Sequence, residues 1–321
     1  MSQVSFDVLR RLQETTLQFP AFLAAFEQIE RNLRLYRETG VAQHLLVLGE
    51  SGTGKTTLAR WFSQRYPRQR LVERDVIPVL HVSVPAAATI AGTVEAVLAQ
   101  LGDHEPERGT VSVKTARAAK LARACGVEML LFDEAQHIHD RGRSHTHYFV
   151  GDWLKSFMDA LGLPVTLLGL PRTQVLLQVN EQLRRRFARR LSLSVQETQS
   201  EANEEASLAL FSSLAQVLPL PLTPHPYDWH SLGKRLYYAT DGRIAYVKQL
   251  LIAAYCHASD VEREHVSPME LAHAFTQTIW PAGVGALNPF DPKFVFRALD
   301  RMGEPFQAGD AVGSGKGRPR A

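Results

Sequence analysis

Three short stretches of this sequence hold residues whose types and spacing could do chemistry together. The first is "GESGTGKT". Gly49, Gly54, Lys55 and Thr56 stand in the spacing G-x-x-x-x-G-K-[ST], directly after the apolar run "HLLVL". Glycines let a backbone curl until successive N–H groups point into one hollow, and a helix starting there adds partial positive charge. Such a hollow holds phosphate. Lys55 is expected to reach the β- and γ-phosphates of ATP, and the Thr56 hydroxyl to bind Mg²⁺. Glu50, Ser51, Gly52, Thr53 and Thr57 complete the expected cradle.

The second stretch is "VEMLLFDEAQH", a strand-like run ending in Asp133 and Glu134. In that position Asp133 is expected to orient Mg²⁺ through water. Glu134 is expected to polarise the attacking water, which marks a hydrolase rather than a kinase. The third is "NEQLRRRFARRL", with five arginines between Arg184 and Arg190. A solvated basic face accounts for some of them. An arginine finger given to a neighbour's γ-phosphate accounts for the surplus, with Arg186 the first candidate and Arg185 the second. A weaker signal is "DGRIAYVKQLL", where Gly242 and Arg243 open a helix whose cation could face a nucleotide.

The elements that must position these residues follow from the hydrophobic pattern. Strands are expected at 44–48, 78–84, 128–132, 164–169 and 190–194, separated by amphipathic helical stretches such as "TIAGTVEAVLAQLG". Short, continuously apolar strands alternating with helices imply a parallel sheet covered on both faces. The fold expected is therefore α/β, a P-loop core with a five-stranded parallel sheet and a small helical lid. Residues 1–27 read as a helical N-terminal extension, 28–195 as the nucleotide-binding core, 196–280 as the lid and 281–321 as a tail whose end is too polar to pack. Ser267 and Glu270 have the spacing of a capping box.

Of the 321 residues 45% are hydrophobic and 21% charged, ordinary for a globular protein, and no run is apolar enough for a membrane span. The early charges of the N-terminus do not read as a signal peptide. Two cysteines, Cys125 and Cys256, fit a reducing, cytoplasmic setting better than a disulfide framework. A net charge of +3 permits nucleic acid as a partner without specifying it.

Taken together, the phosphate loop, the Asp-Glu strand, the arginine cluster before the last strand and the Gly-Arg helix form the AAA+ pattern. More narrowly, "LLVLGESGTGKTT", "IPVLHVSVP", "GVEMLLFDEAQH", "GLPVTLLG" and "NEQLRRRF" resemble the TniB/TnsC family of transposon-encoded AAA+ regulators over roughly residues 25–280. The resemblance implies an ATPase that polymerises on double-stranded DNA with ATP bound and recruits a transposase. It also implies contact with a target selector of the TniQ/TnsD type, and CRISPR-associated target selection is compatible with the same pattern. Lys55, Thr56, Asp133, Glu134, Arg186 and Arg243 match positions with assigned roles in that family. Two other readings share parts of the pattern: a helicase loader or initiator, and an ATP-gated signalling scaffold that assembles without DNA.

The chain departs from the family at Leu170, where a polar residue usually follows the glycine ending strand four; Thr166, Arg172 or Thr173 are the candidates to replace it. His137, His139, His145 and His147 fit no standard zinc spacing and are read as part of a basic loop near DNA or a partner. For DNA contacts, the expected cations are Lys114, Arg117 and Lys120 on one helix, with Arg143 in that loop.

Overall fold

A computed structural model describes residues 7, 10–12, 14–15, 19–86, 88–138, 144–193 and 200–307. The chain divides into two compact units, residues 18–194 and residues 1–17 together with 195–321.

The first unit is built on five parallel strands: β1 (Leu45–Leu48), β2 (Val79–Ser83), β3 (Met129–Asp133), β4 (Val165–Gly169) and β5 (Arg189–Ser192). Their spatial order is β2-β3-β4-β1-β5. Every residue of β1, β3 and β4 is buried, as strands covered on both faces require. Helices α1 (Pro20–Thr39), α2 (Lys55–Arg65), α3 (Ile90–Leu101), α4 (Val111–Ala124), α5 (Ser144–Leu161), α6 (Val175–Val179) and α7 (Glu181–Arg186) connect and cover the strands. Leu80, Val97, Phe132 and Phe157 belong to one core cluster, while Phe26 of α1 meets Trp61 and Phe62 of α2 at 4.6 and 5.2 Å between ring centroids. The helix starts are local choices of sequence. Pro20 opens α1, and the hydroxyls of Thr89 and Thr110 cap α3 and α4 by accepting from Gly92 and Val113.

Three differences from the sequence reading have physical causes. The helix α1 runs unbroken across residue 27, because its apolar positions Phe22, Phe26, Ile29 and Leu33 form one buried stripe. The boundary placed there therefore falls inside a helix. A small antiparallel hairpin, Gln69–Arg70 with Asp75–Val76, lies between α2 and β2 and is too short to leave a periodic signal. Finally, β5 starts at Arg189 and ends at Ser192, so Arg189 lies within the strand rather than before it.

The second unit contains α8 (Ser200–Ala215), α9 (Trp229–Thr240), α10 (Ile244–Asp260) and α11 (Pro268–Thr278). The expected capping box at Ser267 and Glu270 is formed. The N-terminal residues belong with these helices: Leu12 is buried, and Lys248 donates to the Thr15 carbonyl at 2.7 Å. Much of the presumed tail also packs here. Buried Arg235 donates to the carbonyls of Pro289 and Asp291 at 2.6 and 2.8 Å, and Phe290, Phe294, Leu299 and Phe306 are buried. The sequence hid this because Pro and Gly between the aromatics erase any helical period.

Candidate functional site

The phosphate loop occupies the carboxyl end of β1, as expected. Gly54 caps α2 with φ at 97°, a left-handed conformation that glycine adopts without steric cost. Lys55 is 5% exposed, and its Nζ donates to the carbonyls of Gly49 and Glu50 at 2.8 and 2.9 Å. The cation is thus already drawn into the curl of the loop. Thr53 Oγ1 closes the turn by donating to the Glu50 carbonyl at 2.9 Å.

β3 brings Asp133 to the same place. Its carboxyl is 1% exposed, and the Thr56 hydroxyl hydrogen-bonds to it. Burial raises its proton affinity, but His81, Thr56 and the Glu134 N–H outweigh that and hold the carboxyl below the ordinary aspartate value. The Glu134 N–H lies 2.9 Å from Asp133 Oδ1. His81 Nε2 stands 3.9 Å from Oδ2, too long for a hydrogen bond, so its effect is electrostatic. A hydroxyl and an ionised carboxylate meeting beside a phosphate hollow form a hard oxygen donor set, which fits Mg²⁺. Glu134 follows with φ at 56°, and its carboxylate accepts from the amide of buried Gln136. Lys55, Thr56, Asp133 and Glu134 therefore meet in one site.

The arginines occupy the opposite end of the sheet. β5 lies parallel to β1 with Leu45 beside Arg189 and Leu48 beside Ser192, so α7 ends at the amino end while the phosphate loop leaves from the carboxyl end. Arg186 pairs with Asp159 at 2.6 Å, and Arg185 pairs with Glu181 at 2.6 Å. Arg186 is half-buried in an open cleft of about 530 Å³ lined by His44, Met158, Asp159, Arg185 and Arg189. A second cleft of about 480 Å³ shares Gln43 and Arg189 with it and adds Arg31, Arg34 and Glu38. Burial, then the charge of Arg186, depress the His44 imidazole to about 4. Its Nδ1 accepts the Val165 N–H at 3.1 Å.

Sequence reasoning misplaced two cations. Lys114 is 5% exposed and ion-paired with Glu95 of α3, so it holds two helices together and is withdrawn from any DNA surface. Arg117 is bound by Asp103 at 2.6 Å and by the carbonyls of Arg108 and Glu105 at 3.0 and 2.8 Å. Lys120 is exposed, whereas Arg143 lies outside the described residues, as does His139. Among the substitutes for the missing polar residue, Thr166 is buried in mid-strand opposite Leu45 and Leu131, below the strand tip. Thr173 is buried at the tip, and Arg172 is exposed. In the second unit, Arg243 pairs with Asp241 at 2.9 Å, and its guanidinium lies 5.4 Å from the Phe306 ring. Sequence reasoning missed His81 and Gln136. Only strand register shows the first, and the second was visible only as the residue two places after Glu134.

A model of the family described as Bacterial TniB protein matches residues 9–195, more than half of the chain and all of the first unit. The chain belongs to the TniB family. The TniB match includes the phosphate loop, the Asp-Glu strand and the arginine cluster alike. Among solved structures, the chain is similar to Cdc6p of Pyrobaculum aerophilum at 13% identity and TM-score 0.61, over 84% of this chain and 70% of that one. The ORC1 protein of Aeropyrum pernix, solved in complex with DNA, matches at 17% identity and TM-score 0.59, over 84% and 69%. The ORC2 protein of the same organism, solved as ADPNP–ADP complexes, matches at 13% and 0.58, over 84% and 71%. No curated protein matches the chain. The fold of this TniB protein is that of the AAA+ P-loop ATPases. Among the described residues, no helix is long and apolar enough to cross a membrane.

Proposed function

We propose that this TniB protein is an ATPase that assembles with copies of itself on duplex DNA and regulates transposition. One observation carries the reading: the phosphate loop and Arg186 lie at opposite ends of one parallel sheet. An arginine in that position serves a nucleotide only when another subunit brings it there, so the site is completed by assembly.

ATP is the substrate. Lys55 neutralises the β- and γ-phosphates, and the loop N–H groups and the start of α2 bind the remaining charge. Thr56 and Asp133 are the residues that would hold Mg²⁺, whose chemistry is to neutralise charge on the transferred phosphoryl group. Glu134 accepts a hydrogen bond from the attacking water and orients it. A neighbour's Arg186, released from Asp159, meets the charge that develops on the γ-phosphate.

The TniB family match supports transposition as the process, with a transposase and a TniQ/TnsD-type selector as partners recruited by the assembled state. Duplex DNA as the surface of assembly is supported by the likeness to the ORC1 protein solved in complex with DNA. One rival shares the same nucleotide motifs, an initiator or helicase loader. Copurification with a transposase rather than a replicative helicase separates the two. The direct test is electron microscopy of the full chain with duplex DNA and a slowly hydrolysed ATP analogue. ATP-dependent assemblies on DNA are expected, absent with ADP. Equal assembly in both nucleotide states, or assembly that ignores DNA, would overturn the reading.

A further inference from the structure

Gln136 lies in the 3₁₀ turn Ala135–Ile138 that follows β3, with 1% of its surface exposed. A buried primary amide must find partners for both ends. Here the two ends reach different elements. Nε2 donates to Glu134 Oε2, and Oε1 accepts the Leu170 N–H at 3.1 Å, just beyond the tip of β4. The β4 tip is shaped around this bridge. A Cβ on Gly169 would lie 3.2 Å from Gln136 Oε1 and 2.4 Å from Thr173 Oγ1, so a side chain there would force both to shift.

The two ends differ in what stability asks of them. The Leu170 N–H is turned toward a buried amide oxygen, and without that acceptor it would be left unpaired. The Glu134 side chain is 37% exposed, so water can satisfy its carboxylate without help from an amide. The acceptor end is therefore structural, and the donor end must have another use. A donor fixed to one carboxylate oxygen restricts rotation of the group and leaves the other oxygen to accept from water. His137 Nε2, 4.0 Å away, is too distant to do the same. The backbone adds to the restriction, since Glu134 sits at φ 56°, where few non-glycine residues rest.

We infer that Gln136 is a positioning residue for ATP hydrolysis: its amide ties the water-orienting carboxylate of Glu134 to the backbone at the tip of β4. Leu170 offers no polar side chain there, so the link from that strand runs through its N–H. This inference rests on the reading of Glu134 as the residue that orients water.

The test uses the full chain with ATP, Mg²⁺ and duplex DNA. Gln136→Glu keeps the shape and an acceptor for the Leu170 N–H and removes the amide donor; kcat is compared at high pH, where the two adjacent carboxyls share no proton that could replace it. It should lower kcat by roughly 10- to 100-fold, the scale of a misoriented catalytic group, with KM for ATP and Tm near the parent's. Combining Gln136→Glu with Glu134→Gln recreates the bridge in reverse. The double variant should hydrolyse no more slowly than Glu134→Gln alone, because the missing donor has nothing left to position. An unchanged kcat in Gln136→Glu, or the same fold-loss in both backgrounds, would overturn the inference. Should Gln136→Glu lower Tm, neutral Gln136→Met decides by the same comparison in the two backgrounds. If Glu134→Gln alone hydrolyses ATP like the parent, the assignment of Glu134 fails instead, and that result is read separately.

Discussion

The two ends of the central sheet are built in opposite ways. At the carboxyl end Lys55 and Asp133 are almost wholly buried, and each already has partners inside the protein. At the amino end Arg184, Arg185, Arg189 and Arg190 are exposed, and Arg31 and Arg34 of α1 line the adjoining cleft. One end is complete before substrate arrives. The other gathers cation surplus around open clefts, at the opposite end of the sheet from the phosphate loop. Under the proposed function, the difference teaches how a finished half-site and an unfinished one on a single sheet would make a repeating unit. Stacking one subunit's arginine end on the next subunit's phosphate end would complete a site at every junction, and such a head-to-tail contact would grow a ring or a helix.

The largest effect tests the finished end. Lys55→Ala should abolish detectable hydrolysis and weaken ATP binding by on the order of 100-fold, the scale of losing one member of a desolvated charge pair. Nucleotide titration with a fluorescent analogue measures it. Near-normal affinity would mean that the loop amides alone hold the phosphates, and the contrast between the ends would shrink.

Next comes the unfinished end. Arg186→Ala should bind ATP normally and lose on the order of 10³-fold in turnover, within the range measured for arginine fingers. Its defect belongs to the neighbour's site. A mixture of Arg186→Ala with Lys55→Ala should therefore regain activity, since some junctions pair an intact loop with an intact arginine. Assembly without rescue would break the comparison, by placing the arginine's effect within its own chain.

How much of this was legible in the sequence depends on distance along the chain. The phosphate loop and the Asp133–Glu134 pair are contiguous strings whose spacing is itself the chemistry, and the strands that carry them are apolar runs. The Gln136 bridge was not legible, because its acceptor end finds Leu170 only when β3 and β4 lie side by side. Lys114 misled for the same reason. A basic ladder on a helix looks solvated until the packing of α3 on α4 brings Glu95 against it. The C-terminal aromatics were lost among prolines and glycines, and only the fold shows Arg235 holding the carbonyls of Pro289 and Asp291 on either side of buried Phe290.

The corrected DNA reading gives a smaller, sharper pair of outcomes. Lys114→Ala should lower Tm by about 5 °C, as loss of a largely buried partner predicts, and leave the salt dependence of DNA binding as it was. Lys120→Ala should do the reverse. If exposed Lys120 meets a backbone phosphate, its loss lowers the log–log salt slope by about 0.9 on any duplex sequence, with Tm unchanged. A salt titration on two unrelated duplexes checks both. A flattened slope in Lys114→Ala would restore the solvated helix face that the ion pair argues against.

The smallest effect reads the amino end directly through His44. Its imidazole is depressed from 6.5 to about 4 by burial first and by the charge of Arg186 second, while Asp159 opposes the shift. Neutral Nδ1 accepts the Val165 N–H, and a proton there would break that bond. The unfolded chain binds this proton more readily than the folded one, so His44 contributes stability that is complete above about 6.5 and is lost as pH falls toward 4. His44→Asn, which keeps an acceptor but does not titrate, should flatten the pH dependence of unfolding in that window. Arg186→Ala should raise the His44 value, because one of the two depressing causes is gone, and the loss of stability should then begin to fade at higher pH. Imidazole resonances followed by NMR between pH 3 and 8, in parent and Arg186→Ala, give the answer without any ATPase assay. A His44 value that does not move would mean that Arg186 points away from the cleft in solution, free of Asp159 and already extended toward a neighbour.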